Sequence, residues 1–252
     1  HPSLEPMTSP EMAFEINAGT LQIMRDQRTQ AIGLDLVNDL PVSAETVFTT
    51  LDDGHELKLV IYQPATRAAE ALPVVYHIHG GGMVMGTPEM MEVRNKLLVH
   101  KLGIAVVSVD YRLAPEYAHP VPVEDCYAGY QWTVANAEAR GFDASRIVSM
   151  GESAGGGLAA GLSLLLRDRG DRSLLGQYLI YPMLDDRTAS TAEPAPPVGE
   201  FIWTRASNHF GWSALLGHEP GGDGVSPYAA PARAADLSGL PTTFMYTGAL
   251  DL

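Results

Sequence analysis

Apolar and polar positions follow different rhythms along the chain, and each change of rhythm marks a different part. Up to about residue 40 the apolar positions Met12, Phe14, Ile16, Leu21, Ile23 and Met24 recur loosely behind Pro10-Glu11, which predicts helix. Two β-rich runs follow, about Glu45–Leu51 and Glu56–Tyr62, split by the hairpin-type turn Asp52-Asp53-Gly54. From Leu72 onward short continuous apolar runs recur at Pro73–Ile78, Ile104–Val109, Arg146–Met150, Gln177–Tyr181 and Thr242–Tyr246. Runs of this length predict strands buried on both faces of a parallel sheet.

Helices are expected between several of these runs. One opens with Thr87 as N-cap and Pro88 at the first helical position, and stops at Gly103 behind His100 and Lys101. A second spans about Val121–Arg140, with Val123, Cys126, Tyr127, Tyr130 and Val134 on one face and Gly141 at its end. A third starts just after Ser153 and buries Leu158, Leu162, Leu165 and Leu166. An antiparallel start followed by repeated β-α units predicts a mixed, mostly parallel α/β sheet. Residues 185–224 break the rhythm with Pro194, Pro196 and Pro197 and a helical piece near Thr204–Leu216 that carries Phe210 and Trp212, next to Trp203. The division expected is a helical N-terminal segment (residues 1–40), a core (residues 41–184 and 225–252) and an inserted cap (residues 185–224) packed with the N-terminal helices. An ordinary surface excursion is the alternative for the insertion.

Charge narrows the function classes. With 16 Lys+Arg against 30 Asp+Glu the formal charge is −14, and no basic stripe is available to neutralise nucleic-acid phosphates. The single cysteine, Cys126, rules out an internal disulfide. The longest apolar stretch, Gly155–Leu166, falls well short of the ~20 residues a membrane span needs. No basic n-region with an apolar core opens the chain, so a cytoplasmic protein is expected, as monomer or homodimer.

Two motifs carry the chemistry. Gly151-Glu152-Ser153-Ala154-Gly155 joins a predicted strand to a predicted helix, where a tight turn would lift the serine hydroxyl off the sheet. With 25 glycines in 252 residues the pattern alone is a weak signal; its position makes it strong. His79-Gly80-Gly81-Gly82 follows another strand, and consecutive glycines let backbone N–H groups aim at a developing oxyanion. His77-x-His79 could ligate a metal, but a packed or hydrogen-bonded His77 is the favoured reading, and no metal is expected. Trp203, Phe210 and Trp212 could shape a substrate pocket or simply form cap core. Glu152 could tune the charge beside Ser153, face solvent, or bond a loop.

With these motifs, Asp110-Tyr111-Arg112-Leu113-Ala114-Pro115-Glu116 and Pro122–Trp132, the chain resembles the hormone-sensitive-lipase-like family of α/β-hydrolase esterases from about Pro73 to Leu252. The resemblance implies an α/β-hydrolase fold: a mostly parallel sheet, helices on both faces and a helical cap. It implies Ser153 as nucleophile, an oxyanion hole of the Gly81, Gly82 and Ala154 N–H groups, and a structural role for His79. It implies a carboxylic ester hydrolase for short to medium acyl esters of small molecules, with no cofactor. Asp251, in Gly248-Ala249-Leu250-Asp251-Leu252, matches the family's acid; Asp185 and Asp186, after an earlier strand, are its rivals. The family's catalytic histidine lies some thirty residues after the acid, beyond a further strand, and has no counterpart here. The sequence is therefore expected to continue for about 60–70 residues, through a strand, a histidine loop and a helix. The competing class is a small-molecule receptor on the same fold that has lost its base.

Overall fold

The computed structural model describes residues 15–27, 34–66, 70–190, 198–249 and 251–252. Pro10-Glu11, Met12, Phe14, Pro194, Pro196 and Pro197 lie outside them. Among the described residues, strands β1 (Val42–Thr50), β2 (Glu56–Pro64), β3 (Leu72–Ile78), β4 (Ala105–Asp110), β5 (Phe142–Glu152), β6 (Leu174–Ile180) and β7 (Thr242–Tyr246) form one sheet. Their order is β1-β2-β4-β3-β5-β6-β7. The β1–β2 and β2–β4 pairs are antiparallel and the rest parallel. Asp52-Asp53-Gly54 makes the expected hairpin: the Leu51 N–H donates to the His55 carbonyl, and Gly54 takes a φ of 84°.

The period-2 pattern decides which helix covers which face. Leu57, Leu59 and Ile61 of β2, with Val74, Tyr76 and Ile78 of β3, join one core with residues of α3 (Val121–Ala135) and α5 (Ala154–Asp168). The alternate positions Val60, Tyr62 and Val106 join Val99 of α2 (Glu92–Leu102) on the other face. Leu158, Leu162 and Leu165 of α5 are almost wholly buried, each worth roughly 1.5–3 kcal/mol. At the N-terminal end, α1 (Leu21–Gln27) is the only α-helix among the described residues before β1. Ile16, Leu21 and Met24 pack there with Val84, Met85, Ala114 and Phe210, while Ile23 is exposed. The Ile16 N–H donates to Ser207 Oγ of α6 (Arg205–Leu216), so the N-terminal segment and the insertion are in contact.

Four expectations need correction. The predicted helix Val121–Arg140 is two, α3 and α4 (Ala137–Arg140), divided at Asn136, whose Nδ2 donates to the same Trp132 carbonyl that its N–H takes as the last i→i−4 bond of α3. Thr87 and Pro88 do stand at the N-cap and first position, but of a 3₁₀ turn, Pro88–Met91, that precedes α2, and the Thr87 side chain makes no cap bond. Strand β5 starts early, at Phe142, and reaches the central register through an irregularity opposite β3. Strand β7 is exposed on both faces rather than buried, and among the described residues it pairs only with β6.

Candidate active site

Strands β3 and β5 are neighbours and parallel, so the turns leaving their carboxyl ends meet at one edge of the sheet. Ser153 follows β5 directly with φ 54° and ψ −120°, a conformation that costs a non-glycine residue roughly 1–3 kcal/mol. Neighbouring backbone holds it there. The Ser153 N–H donates to the Ile180 carbonyl of β6, and the Gly157 and Met183 N–H groups donate to the Ser153 carbonyl. Gly155 starts α5 so close to β3 that a Cβ would overlap the carbonyl oxygens of Ile78 and His79; one on Gly151 would overlap the Gly155 carbonyl. The glycines of G-x-S-x-G are thus demanded by backbone contact, as the sequence suggested. Ser153 is half-buried, and its hydroxyl has no hydrogen-bond partner among the described residues.

The glycine loop after β3 lies against this turn. A Cβ on Gly80 would stand 3.5 Å from Ser153 Cβ. Gly81 has φ 122°, and a Cβ there would overlap the Met85 carbonyl, so no side chain fits. The Val84 and Met85 N–H groups donate to the Gly81 carbonyl and close the loop. The N–H groups of Gly81 and Gly82 meet no acceptor among the described residues. Ala154 is the first residue of α5, where a helix leaves its N–H groups without intrahelical acceptors. Met83, Tyr181 and Ile202 share positive φ with Ser153, and among the described residues these four are the only such non-glycine positions. Each is in or beside one of the segments that meet at this corner.

Beneath the turn, between the sheet and α2, is a buried polar network. Glu152 Oε1 accepts the Gly80 N–H at 3.2 Å, while Arg94 Nη2 of α2 donates to Glu152 Oε2 at 2.7 Å. His77 Nε2 lies 3.3 Å from Glu152 Oε2 and 2.8 Å from Arg94 Nη2, and its Nδ1 shares a 2.7 Å hydrogen bond with Ser108 Oγ. Burial pushes the Glu152 carboxyl up, but His77 and Arg94 outweigh it and draw it down to about 2. Of the three readings open for Glu152, the structure supports a loop-bonding one. His79 stacks on Tyr111 with ring centroids 4.3 Å apart, its Nδ1 bonds the Gly80 carbonyl, and the Tyr111 hydroxyl donates to the His79 carbonyl. Burial lowers its pKa, so the ring is held neutral. His77 and His79 therefore serve different partners. Arg94 and Ser108 carry no local signal in the sequence, and Tyr111 is marked there only as part of the Asp110–Glu116 motif.

The two acid candidates differ. Asp185 caps the short 3₁₀ turn Asp186–Ala189 by accepting the Arg187 N–H and is paired with the Arg187 guanidinium, which lowers its pKa. Asp186 is fully buried in a bidentate pair with Arg233 and accepts the Gly221 N–H. Asp251 is exposed beyond β7, with Oδ2 3.1 Å from Thr247 Oγ1 and 3.3 Å from the Gly248 nitrogen. None of the described histidines hydrogen-bonds Ser153. His55 is in the hairpin, His100 ends α2, His119 donates its N–H to Leu215, His209 pairs with Glu219, and His218 bonds the Glu219 carbonyl.

In the insertion, Trp212 is core while Trp203 lies against Gly82, where a Cβ would overlap its ring. A cavity of about 620 Å³ lined by Gln63, Leu72, Arg140 and Gly141 lies at the other end of the sheet. Ligands of open α/β sheets bind at the carboxyl ends of the strands, the end occupied by Ser153. Among the described residues no helix is long and apolar enough to cross a membrane.

The family described as "alpha/beta hydrolase fold" matches residues 75–252. An arylesterase of Saccharolobus solfataricus is 34% identical over 199 residues, covering 79% of this chain and 63% of its own. The carboxylesterase NlhH of Mycobacterium tuberculosis is 33% identical over 252 residues, covering 97% of this chain and 68% of its own. The chain thus spans roughly two thirds of the length of these relatives. Among solved structures, a bacterial heroin esterase superposes with a TM-score of 0.83 at 37% identity, covering 97% of this chain and 78% of its own. An esterase of the archaeon Pyrobaculum calidifontis gives 0.83 at 31% identity, over 99% of this chain and 79% of its own. A serine strained between β5 and α5, a glycine loop folded against it and this family match agree: the chain belongs to the α/β-hydrolase fold family, in its hormone-sensitive-lipase-like branch.

Proposed function

We propose that the whole protein is a carboxylic ester hydrolase that cleaves short to medium acyl esters through an acyl-enzyme on Ser153. The observation that carries this reading is the Ser153 turn, a hydroxyl presented at positive φ beside a glycine loop with free N–H groups. Ser153 attacks the ester carbonyl while an imidazole of the whole protein takes its proton, and Asp251 orients that imidazole. The negative charge that develops on the carbonyl oxygen is met by the N–H groups of Gly81, Gly82 and Ala154. The imidazolium gives that proton to the departing alcohol oxygen, leaving the acyl-enzyme and a neutral imidazole; the imidazole then deprotonates a water that attacks the acyl carbonyl, and returns the proton to Ser153 as the acid leaves. Asp251 is favoured over Asp185 because its carboxylate is not committed to an arginine. Residues 185–224 with the N-terminal segment form the cap over this corner, a reading supported by the Ile16–Ser207 bond and the seat of Trp203 on Gly82. The receptor alternative has no observation in its favour, and the relatives bear esterase names.

A fluorophosphonate probe tests the assignment. It should label the full-length protein at Ser153 alone, and Ser153→Ala should end both labelling and turnover of a chromogenic butyrate ester. Labelling at another serine, or undiminished turnover by the alanine variant, would sink it.

A further inference from the structure

The Glu152 carboxylate stands directly before the proposed nucleophile and faces away from it, into the sheet–α2 layer, with 7% of its side chain exposed. Its two oxygens have three partners: the Gly80 N–H, Arg94, and His77, whose Nε2 lies 3.4 and 3.3 Å from them. Oε1 takes the N–H of Gly80, the first glycine of the loop, and Oε2 takes Arg94 Nη2. Among the described residues nothing else bonds the Gly80 N–H, whereas the Gly81 carbonyl and the Met83 carbonyl are tied further along, by Val84, Met85 and Ala114. The loop is thus gripped at both ends, and its free N–H groups, those of Gly81 and Gly82, lie between the two grips. Resting on the esterase reading, we propose that Glu152 is a positioning residue: by holding the Gly80 N–H it sets the aim of the Gly81 and Gly82 N–H groups at the developing oxyanion, and Arg94 keeps its charge from opposing that oxyanion.

The chemistry of the pair suggests the test. A glutamine at 152 has one carbonyl oxygen and one NH₂ group, so it can satisfy Arg94 or Gly80 but not both. The charged donor wins the oxygen, which leaves the Gly80 N–H facing another donor. Replacing Arg94 by methionine as well removes the competitor and frees that oxygen for Gly80. Exchanging a buried ion pair for neutral groups of similar size is often tolerated by the fold.

The experiment uses the full-length protein and a chromogenic butyrate ester. Glu152→Gln should lower kcat by roughly 10–100-fold with little change in KM, the signature of an interaction made in the transition state. The double variant Arg94→Met/Glu152→Gln should recover most of that loss. Arg94→Met/Glu152→Met, which has no acceptor at all, should stay as slow as Glu152→Gln while melting close to the recovered variant. A residue with only a structural role would lower the melting temperature and show no such recovery. Equal kcat in the two double variants, or a Glu152→Gln kcat within about twofold of wild type, would overturn the proposal while wild-type turnover and Ser153 labelling leave the esterase reading standing. Absence of both in the wild type removes the reading and the proposal together. Should the variants fail to fold, hydrogen exchange on the wild type decides: the Gly80 N–H should exchange at least about tenfold more slowly than those of Gly81 and Gly82, and equal rates refute it.

Discussion

The carboxyl end of β5 and the carboxyl end of β7 lie two strands apart, and the chain holds them by opposite means. At the β5 end every neighbour is committed. Ser153 has three backbone hydrogen bonds, Gly155 is jammed against β3, and Glu152 is buried among Arg94, His77 and Gly80. At the β7 end the strand is exposed on both faces, and among the described residues Asp251 is bonded only to Thr247 and Gly248, within four residues of itself. Strain of the kind seen at Ser153 persists only where surroundings over-determine the backbone, which the β5 corner supplies and the β7 corner among the described residues does not. A nucleophile can therefore be pre-set by this part of the molecule. On the proposed mechanism, Asp251 would take its aim from the imidazole it bonds.

Substitutions at the two corners should separate them. The largest effect is expected at Ser153, where Ser153→Ala should cost about 10⁶ in kcat for short acyl esters without altering the melting temperature. Asp251→Asn should come next, at about 10⁴, with the protein equally stable because the side chain is exposed; Asp185→Asn should leave kcat far closer to wild type. Steady-state kinetics of the pair decides between the carboxylates. Gly155→Ala should destabilise the fold by roughly 3 kcal/mol in urea titration, since the overlapping atoms are backbone oxygens that cannot turn aside.

An effect of similar size is an acid limb of stability. The folded-state pKa of Glu152 is held at about 2, below its ordinary 4.5. A depressed carboxyl stabilises the fold above the unfolded value and loses that contribution as pH falls from 4.5 towards 2. Between pH 5 and 2 the wild type should lose roughly 3 kcal/mol more than Glu152→Gln, measured as the closing gap between their urea midpoints.

What the sequence disclosed was local. Thr242–Tyr246 is a β-branched and aromatic run bounded by Pro241 and Gly248, and the strand has those limits. Ser153 and the glycine loop were legible because steric need writes itself into adjacent glycines. The break at Asn136 was hidden, for the α-helical spacing continues through it and the residue's second bond to the Trp132 carbonyl is visible only in the fold. The Glu152 network was hidden more deeply. His77, Arg94, Ser108 and Glu152 come from three strands and a helix, and they meet because β3 lies between β4 and β5. Periodicity reports which face a residue takes, and strand order is not contained in it.

Arg25 ties several parts of the molecule together through a single guanidinium. From α1 it donates to the Val84 carbonyl, the Ala114 carbonyl and both oxygens of Glu116. A helix of seven residues has no standing of its own in water, so α1 owes its order to the groups it is fastened to. The fastening runs both ways, because Val84 and Ala114 belong to the segments that flank the glycine loop. Ionic strength screens the Glu116 arm and spares the two carbonyl arms. Raised salt should therefore loosen the Glu116 arm alone and leave α1 held to Val84 and Ala114 by its two carbonyl bonds.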